Sequence, residues 1–179
     1  SEQQQLMNNY MNHLPHLSEN KLFFVDKMPH NFRWLSYILK SMPFAKIVIM
    51  ERSPQDNCFS LYKMLFSSRR HHSYCFNLEI LGEYYLIYKN IINHWKKIYK
   101  SNVHICSYEN LVSNPKEEIQ SLIKYCNLGW EDKLMNFHKT QRIVSTASHS
   151  QVREKLYSSS IGSWKKFEKE LSPLLEIIK

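Results

Sequence analysis

The sequence predicts an α/β fold of three layers, in which a mainly parallel sheet is flanked by helices. Short apolar runs at residues 22–25, 46–50 and 103–108 alternate with stretches whose apolar residues recur every three or four positions. Such alternation builds a sheet between helical layers, because each helix must bury its apolar stripe against a sheet face. Each run also ends on residues that suit a ligand: Asp26 and Lys27, Arg52 and Ser53, Tyr108 and Glu109. Open α/β sheets bind ligands outside the carboxyl ends of their strands, so these three pairs share one candidate edge.

The elements follow in order. Residues 1–20 read as a polar N-terminal segment, a remnant of an upstream part of the domain, and residues 21–179 as the partial domain itself. A chain starting on Ser1 rather than Met suggests upstream sequence. Leu22, Phe23, Phe24 and Val25 read as a short buried strand that ends at Asp26 and Pro29. A helix over 31–41 turns Phe32, Leu35, Ile38 and Leu39 inward, and Pro43 stops it. The apolar run 46–50 is a second buried strand. Ser53 is placed to cap the next helix, with Pro54 at its first position and Asp56 completing a variant capping box. That helix is expected to reach about residue 67, before a basic loop over 68–73.

A long amphipathic helix follows, with Leu81, Tyr85, Tyr88, Ile92, Trp95 and Ile98 among its inner residues. That aromatic stripe suits a core better than a platform for stacked bases. Residues 103–108 form the third strand, and Asn114 with Pro115 opens a helix toward Cys126. A short helix over 130–139, a loop over 140–150 and a helix over 164–178 interrupted or bent near Pro173 complete the chain.

Composition narrows the classes. The chain has 179 residues, one domain or a large part of one, and only 3 Gly and 6 Pro, too few for a low-complexity segment. It has no apolar run long enough to span a bilayer. The 4 cysteines (Cys58, Cys75, Cys106 and Cys126) lack paired spacing, which favours buried free thiols and a cytoplasmic setting. His71 and His72 have no partners at zinc spacing. The net charge of +8 favours an anionic ligand or surface, although lysines on solvated helix faces account for part of it.

The strand–turn–helix around Arg52 is the sharpest of these features. It sets a guanidinium beside the free N–H groups and positive dipole end of a helix N-terminus, with Ser60 two turns further on. Side chains lean back toward a helix N-terminus, so Ser60 points toward the same site. A phosphate fits there, and a surface ion pair of Arg52 with Asp56 or Glu51 is the plainer alternative.

Four motifs in order resemble the sulfotransferases. They are Asp26, Lys27, Pro29, Asn31 and Phe32; Arg52, Pro54, Asp56 and Ser60; Tyr108, Glu109, Leu111 and Val112; and Ser148, Gln151, Val152, Arg153, Gly162 and Trp164. The resemblance is strongest to a bacterial branch often fused to tetratricopeptide repeats and similar to tyrosylprotein sulfotransferases. It implies a P-loop-NTPase-like sulfotransferase fold, N-terminally truncated here. It also implies transfer of a sulfuryl group from 3′-phosphoadenosine 5′-phosphosulfate (PAPS) to a hydroxyl or amine, with no metal required. The acceptor classes open to it are protein tyrosine, glycan and small metabolite.

The resemblance assigns Arg52 and Ser60 to the 3′-phosphate and Lys27 to charge stabilisation at the transferring group. Tyr108, Ser148, Arg153 and Trp164 fall around the nucleotide, the stretch 153–164 is similar to the loop that folds over it, and Glu109 is structural, bonding local backbone N–H groups. Two departures stand out. Ser163 occupies a position where many relatives carry a basic residue, which leaves Arg153, Lys155 and Lys165 as the candidates to substitute. The Gly-rich 5′-phosphosulfate loop and the glutamate base have no counterpart, and their expected place is upstream of Ser1. Two other readings remain open from the residues: a kinase-like phosphotransferase using Asp26 for a metal, and a non-catalytic polyanion-binding module using Arg69, Arg70, His71 and His72.

Overall fold

A computed structural model of the chain describes residues 2–14, 23–64, 72–139, 154 and 156–179. In order, α1 is Glu2–His13, α2 Leu35–Ser41, β1 Ile47–Glu51, α3 Pro54–Lys63 and α4 Leu78–Ile98. Then come β2 Val103–Ser107, α5 Tyr108–Ser113, α6 Pro115–Tyr125 and α7 Ser172–Ile177. Short 3-10 turns cover Pro29–Trp34, Ser73–Phe76, Asp132–Lys139 and Ser163–Phe167. The architecture is helix-rich with a small parallel sheet, consistent with the expected α/β class. Among the described residues that sheet has two strands, β1 beside β2.

The chain divides into two compact units, Ser1–Ile47 with Tyr88–Val103 and Val48–Ile87 with His104–Lys179. In the first, α1 packs on α2, and Leu35, Leu39, Met42 and Ile92 are buried. The Trp95 indole N–H donates to the Phe32 carbonyl at 2.8 Å, and Phe32 meets Tyr88 edge to face at 5.0 Å. The Asp26 carboxylate accepts from the Tyr10 hydroxyl at 3.0 Å and from the Asn31 amide at 3.2 Å. Asp26 thereby ties the segment before α2 to α1.

In the second unit, Cys58, Phe59, Cys75, Leu81, Tyr85, Leu171, Leu174 and Ile178 build the core. Phe59 and Phe167 pack with ring centroids 5.1 Å apart. Tyr74 stacks on Tyr84 at 3.9 Å. All four cysteines are free, with Cys58, Cys75 and Cys106 buried and Cys126 partly exposed.

Several expectations are corrected. Residues 23–25 form no strand, and Phe23 and Val25 are 65% and 90% exposed, while Leu22 lies outside the described residues. A strand needs a ladder partner for its N–H and C=O groups, and none of the described residues offers one there. β1 is only half-buried, with Val48 and Met50 exposed, because its outer face lacks a covering layer among the described residues. The helix expected over 31–41 begins as the 3-10 turn Pro29–Trp34 and becomes α-helical only at Leu35. The interruption is Trp34, whose φ of −112° and ψ of 8° are not helical.

α3 stops at Lys63, where Met64 turns extended, short of the anticipated residue 67. The helix expected over 130–139 is a 3-10 segment kinked at Asn136. The stretch expected to be a helix interrupted or bent near Pro173 is interrupted: the 3-10 turn Ser163–Phe167 comes first, and Pro173 then opens α7, since a proline in the first turn forfeits no internal hydrogen bond. Ile98 is 53% exposed and so does not belong to the inner stripe of α4.

Candidate functional site

The carboxyl ends of β1 and β2 lie side by side in the second unit. Ser53, in extended conformation, caps α3, its hydroxyl oxygen accepting from the Asp56 N–H at 3.3 Å. The Ser53 backbone N–H donates to Glu109 Oε1 at 2.8 Å, which ties the start of α3 to the start of α5. Half of the expected capping box is therefore rewired. The Ser53 N–H goes to Glu109, and the Asp56 carboxylate is left for other partners. Glu109 is structural, as expected, although the N–H it binds belongs to another element. Tyr108, anticipated at the end of the third strand, instead opens α5, because Ser107 is a helix cap accepting from the Asn110 N–H.

Arg52 follows β1 directly and reaches over Tyr108, its Cζ 4.9 Å from the ring centroid. This is a cation–π contact of a largely buried guanidinium. Arg52 Nη2 donates to the Ser160 carbonyl and stands 3.9 Å from Asp56 Oδ1. The plainer alternative, an ion pair with Asp56, is thus present alongside the aromatic contact, though largely buried and not on the surface. The Tyr108 hydroxyl shares a 2.9 Å hydrogen bond with Ser160 Oγ and donates to the Tyr157 carbonyl at 3.3 Å.

Asp56 is 2% exposed. Its Oδ2 accepts from the Gly162 N–H at 2.7 Å and from Ser53 Oγ at 3.1 Å. Its Oδ1 accepts from Ser163 Oγ at 3.4 Å. Gly162 has φ of 71°, a left-handed backbone that glycine adopts without strain. Ser163, where relatives were expected to carry a cation, serves as a donor to this carboxylate.

The Arg52 Nε–H is buried and has no hydrogen-bond acceptor among the described residues. A buried donor without a partner is a costly feature, and an incoming anion would relieve it. The donor chemistry of a guanidinium suits a phosphate oxygen, but Nε has no accessible surface, so an oxygen reaching it must displace the groups that cover it. The nearby thiols are not nucleophiles at neutral pH: burial pushes Cys58 up to about 12, and burial followed by a hydrogen bond to Glu118 pushes Cys106 up to about 11.

Of the sequence candidates, the structure brings Arg52 and Tyr108 together. Trp164 is half-buried in the 3-10 turn immediately after Ser163, and Ser60 is half-buried on α3. Lys27 is exposed in the first unit. Ser148, Arg153 and Lys155 lie outside the described residues, as do Arg69, Arg70 and His71. Asp56 was legible only as a cap, and Tyr157 and Ser160 only as part of the stretch 153–164 that the resemblance folds over the nucleotide. Their partners lie many positions away in sequence, and the sole local signal is the glycine at 162 after a run of serines.

The sulfotransferase family model matches residues 2–132, more than half of the chain. The chain belongs to the sulfotransferase family. A relative from Aquifex aeolicus (strain VF5), named only as an uncharacterized protein, is 34% identical over 170 residues. The match covers 94% of this chain and 22% of that protein, so this sulfotransferase chain spans about a fifth of its relative's length. The segment that closes on Arg52 and Asp56 lies beyond the matched residues. No helix among the described residues is long and apolar enough to cross a membrane.

Proposed function

We propose that this sulfotransferase chain carries the nucleotide-holding part of a PAPS-dependent enzyme, with Arg52 and Ser60 on the 3′-phosphate. The observation that carries the reading is the buried Nε–H of Arg52, without an acceptor among the described residues, between a strand end and a capped helix start. PAPS, when bound, supplies the activated sulfuryl group that passes to a hydroxyl or amine acceptor. Arg52 donates charge-assisted hydrogen bonds to the phosphate, and its planar fork suits paired oxygens better than a lysine would. The Ser60 hydroxyl donates a further bond. Tyr108 supports the guanidinium from one face and excludes water from it.

Lys27 is the proposed catalytic group, neutralising negative charge that develops as the bond to the leaving phosphate breaks. Ser148, Arg153 and Trp164 are proposed to line the nucleotide. Likeness to the tyrosylprotein branch makes a protein tyrosine one acceptor class, beside glycans and small metabolites. Buried free thiols support a cytoplasmic setting.

Calorimetric titration with adenosine 3′,5′-bisphosphate tests the reading. Binding is expected, and Arg52→Ala should weaken it by roughly 2–5 kcal/mol, the range for truncating one partner of a buried charge pair. An unchanged affinity in that variant would sink the assignment.

A further inference from the structure

Asp56 is the one charged residue among the described residues that is buried. A capping function does not require this. A serine cap already satisfies the helix start, and an acidic residue in the first turn serves the dipole equally well when exposed. Burying a carboxylate is unfavourable unless its partners are well placed, so the informative question is which partners these are. Two, Ser53 and Arg52, come from its own turn. The others, Gly162 and Ser163, lie 106 and 107 positions later.

Arg52 makes the same crossing independently, donating to the carbonyl of Ser160. The result is a closed ring of contacts: Asp56 to Arg52, Arg52 to Ser160, and Gly162 back to Asp56. The ring occupies Arg52 Nη2 and leaves the buried Nε–H without an acceptor among the described residues.

We propose that Asp56 is a positioning residue of the nucleotide site, coupling Arg52 to the segment 160–163 so that a bound phosphate meets both as one preformed clamp. The inference rests on the donor reading above but assigns a residue that does not itself touch the nucleotide. It also carries a sign that separates it from simple electrostatics. A carboxylate 3.9 Å from the Arg52 guanidinium repels an incoming phosphate. Were Asp56 only a charged neighbour, Asp56→Asn would tighten anion binding. A positioning role requires the opposite, because a neutral amide holds Arg52 and the Ser163 hydroxyl less firmly, and preorganisation is lost.

The test uses the whole chain, adenosine 3′,5′-bisphosphate as the probe in calorimetry, and hydrogen exchange of the peptide covering 157–164. The near-isosteric Asp56→Asn keeps one oxygen acceptor for the Gly162 N–H, and Asp56→Ala removes it. The Asn variant should bind about tenfold more weakly. Exchange should quicken at 160–163 but match the wild type elsewhere, a selectivity that general destabilisation would not produce. No binding by the wild-type chain would overturn the donor reading and, with it, the nucleotide role of Asp56. With wild-type binding intact, equal or tighter binding by Asp56→Asn, or unchanged exchange at 160–163, would overturn the role of Asp56 alone.

Discussion

Gly82 of α4 lies so close to Ile177 of α7 that a Cβ on Gly82 would stand 3.0 Å from both Cβ and Cγ2 of Ile177. The glycine is fully buried, and the isoleucine is β-branched, so neither side has a flexible end to yield. Replacing Gly82 with Ala gains about 1 kcal/mol of helix propensity and loses about 1–3 kcal/mol to overpacking. The expected net result is lower stability, read as a lower urea midpoint. Ile177→Ala in the same chain should turn Gly82→Ala from harmful to favourable, and equal effects in both backgrounds would refute the contact.

Asn127 ends α6 in a left-handed conformation, with φ of 57°. Its own N–H bonds the Lys124 carbonyl, and the Leu128 N–H bonds that of Ile123, the hydrogen-bond pattern of a Schellman cap. Asn127→Gly should stabilise the chain by about 0.5–1 kcal/mol, and Asn127→Val should destabilise it by about 1–2 kcal/mol. Thermal melts of the two variants check both signs.

The buried thiols predict a loss of stability in alkali. Cys106 is raised from 9.0 to about 11 by burial and then by Glu118, and Cys58 from 9.0 to about 12 by burial and then by Cys75. Their folded values exceed the unfolded ones. Their contribution is therefore complete below pH 9 and is lost as pH rises toward 11 for Cys106 and 12 for Cys58. Denaturant midpoints measured across that window should fall. At neutral pH, alkylation followed by mass spectrometry should label the partly exposed Cys126 first and leave the other three until unfolding.

The hydroxyl of Tyr108 joins Ser160 and Tyr157, while its ring supports Arg52. Tyr108→Phe should cost about 1 kcal/mol of stability through the lost hydrogen bonds, yet keep the cation–π contact. Tyr108→Ala should cost more and should also weaken bisphosphate binding. Equal binding losses in the two variants would show that the hydroxyl, not the ring, supports Arg52.

Local chemistry was legible wherever a single turn decides it. The Ser53 cap, Pro54 at the helix start and Arg52 at the strand end all lie within five residues, and the structure places them as their residue types require. The alternation of strands and helices was legible for the same reason, since periodicity is a short-range property. The apolar run at 23–25 was misread because its composition speaks only to strand propensity, and strand formation depends on a neighbour that propensity does not specify. Tyr108 was assigned to the wrong element by one residue, where the Ser107 cap outweighed the β propensity of a tyrosine.

By itself, then, the sequence determined the class of fold, the family, and the position of one arginine between a strand and a capped helix. Only the tertiary structure decided what that arginine touches. The contacts among Asp56, Ser160, Gly162 and Ser163 join segments about a hundred residues apart. No local periodicity encodes such pairings, because they follow from how the packed core brings distant backbone into hydrogen-bonding range. The same packing buries the Asp56 carboxylate and the Arg52 Nε–H, which has no acceptor among the described residues.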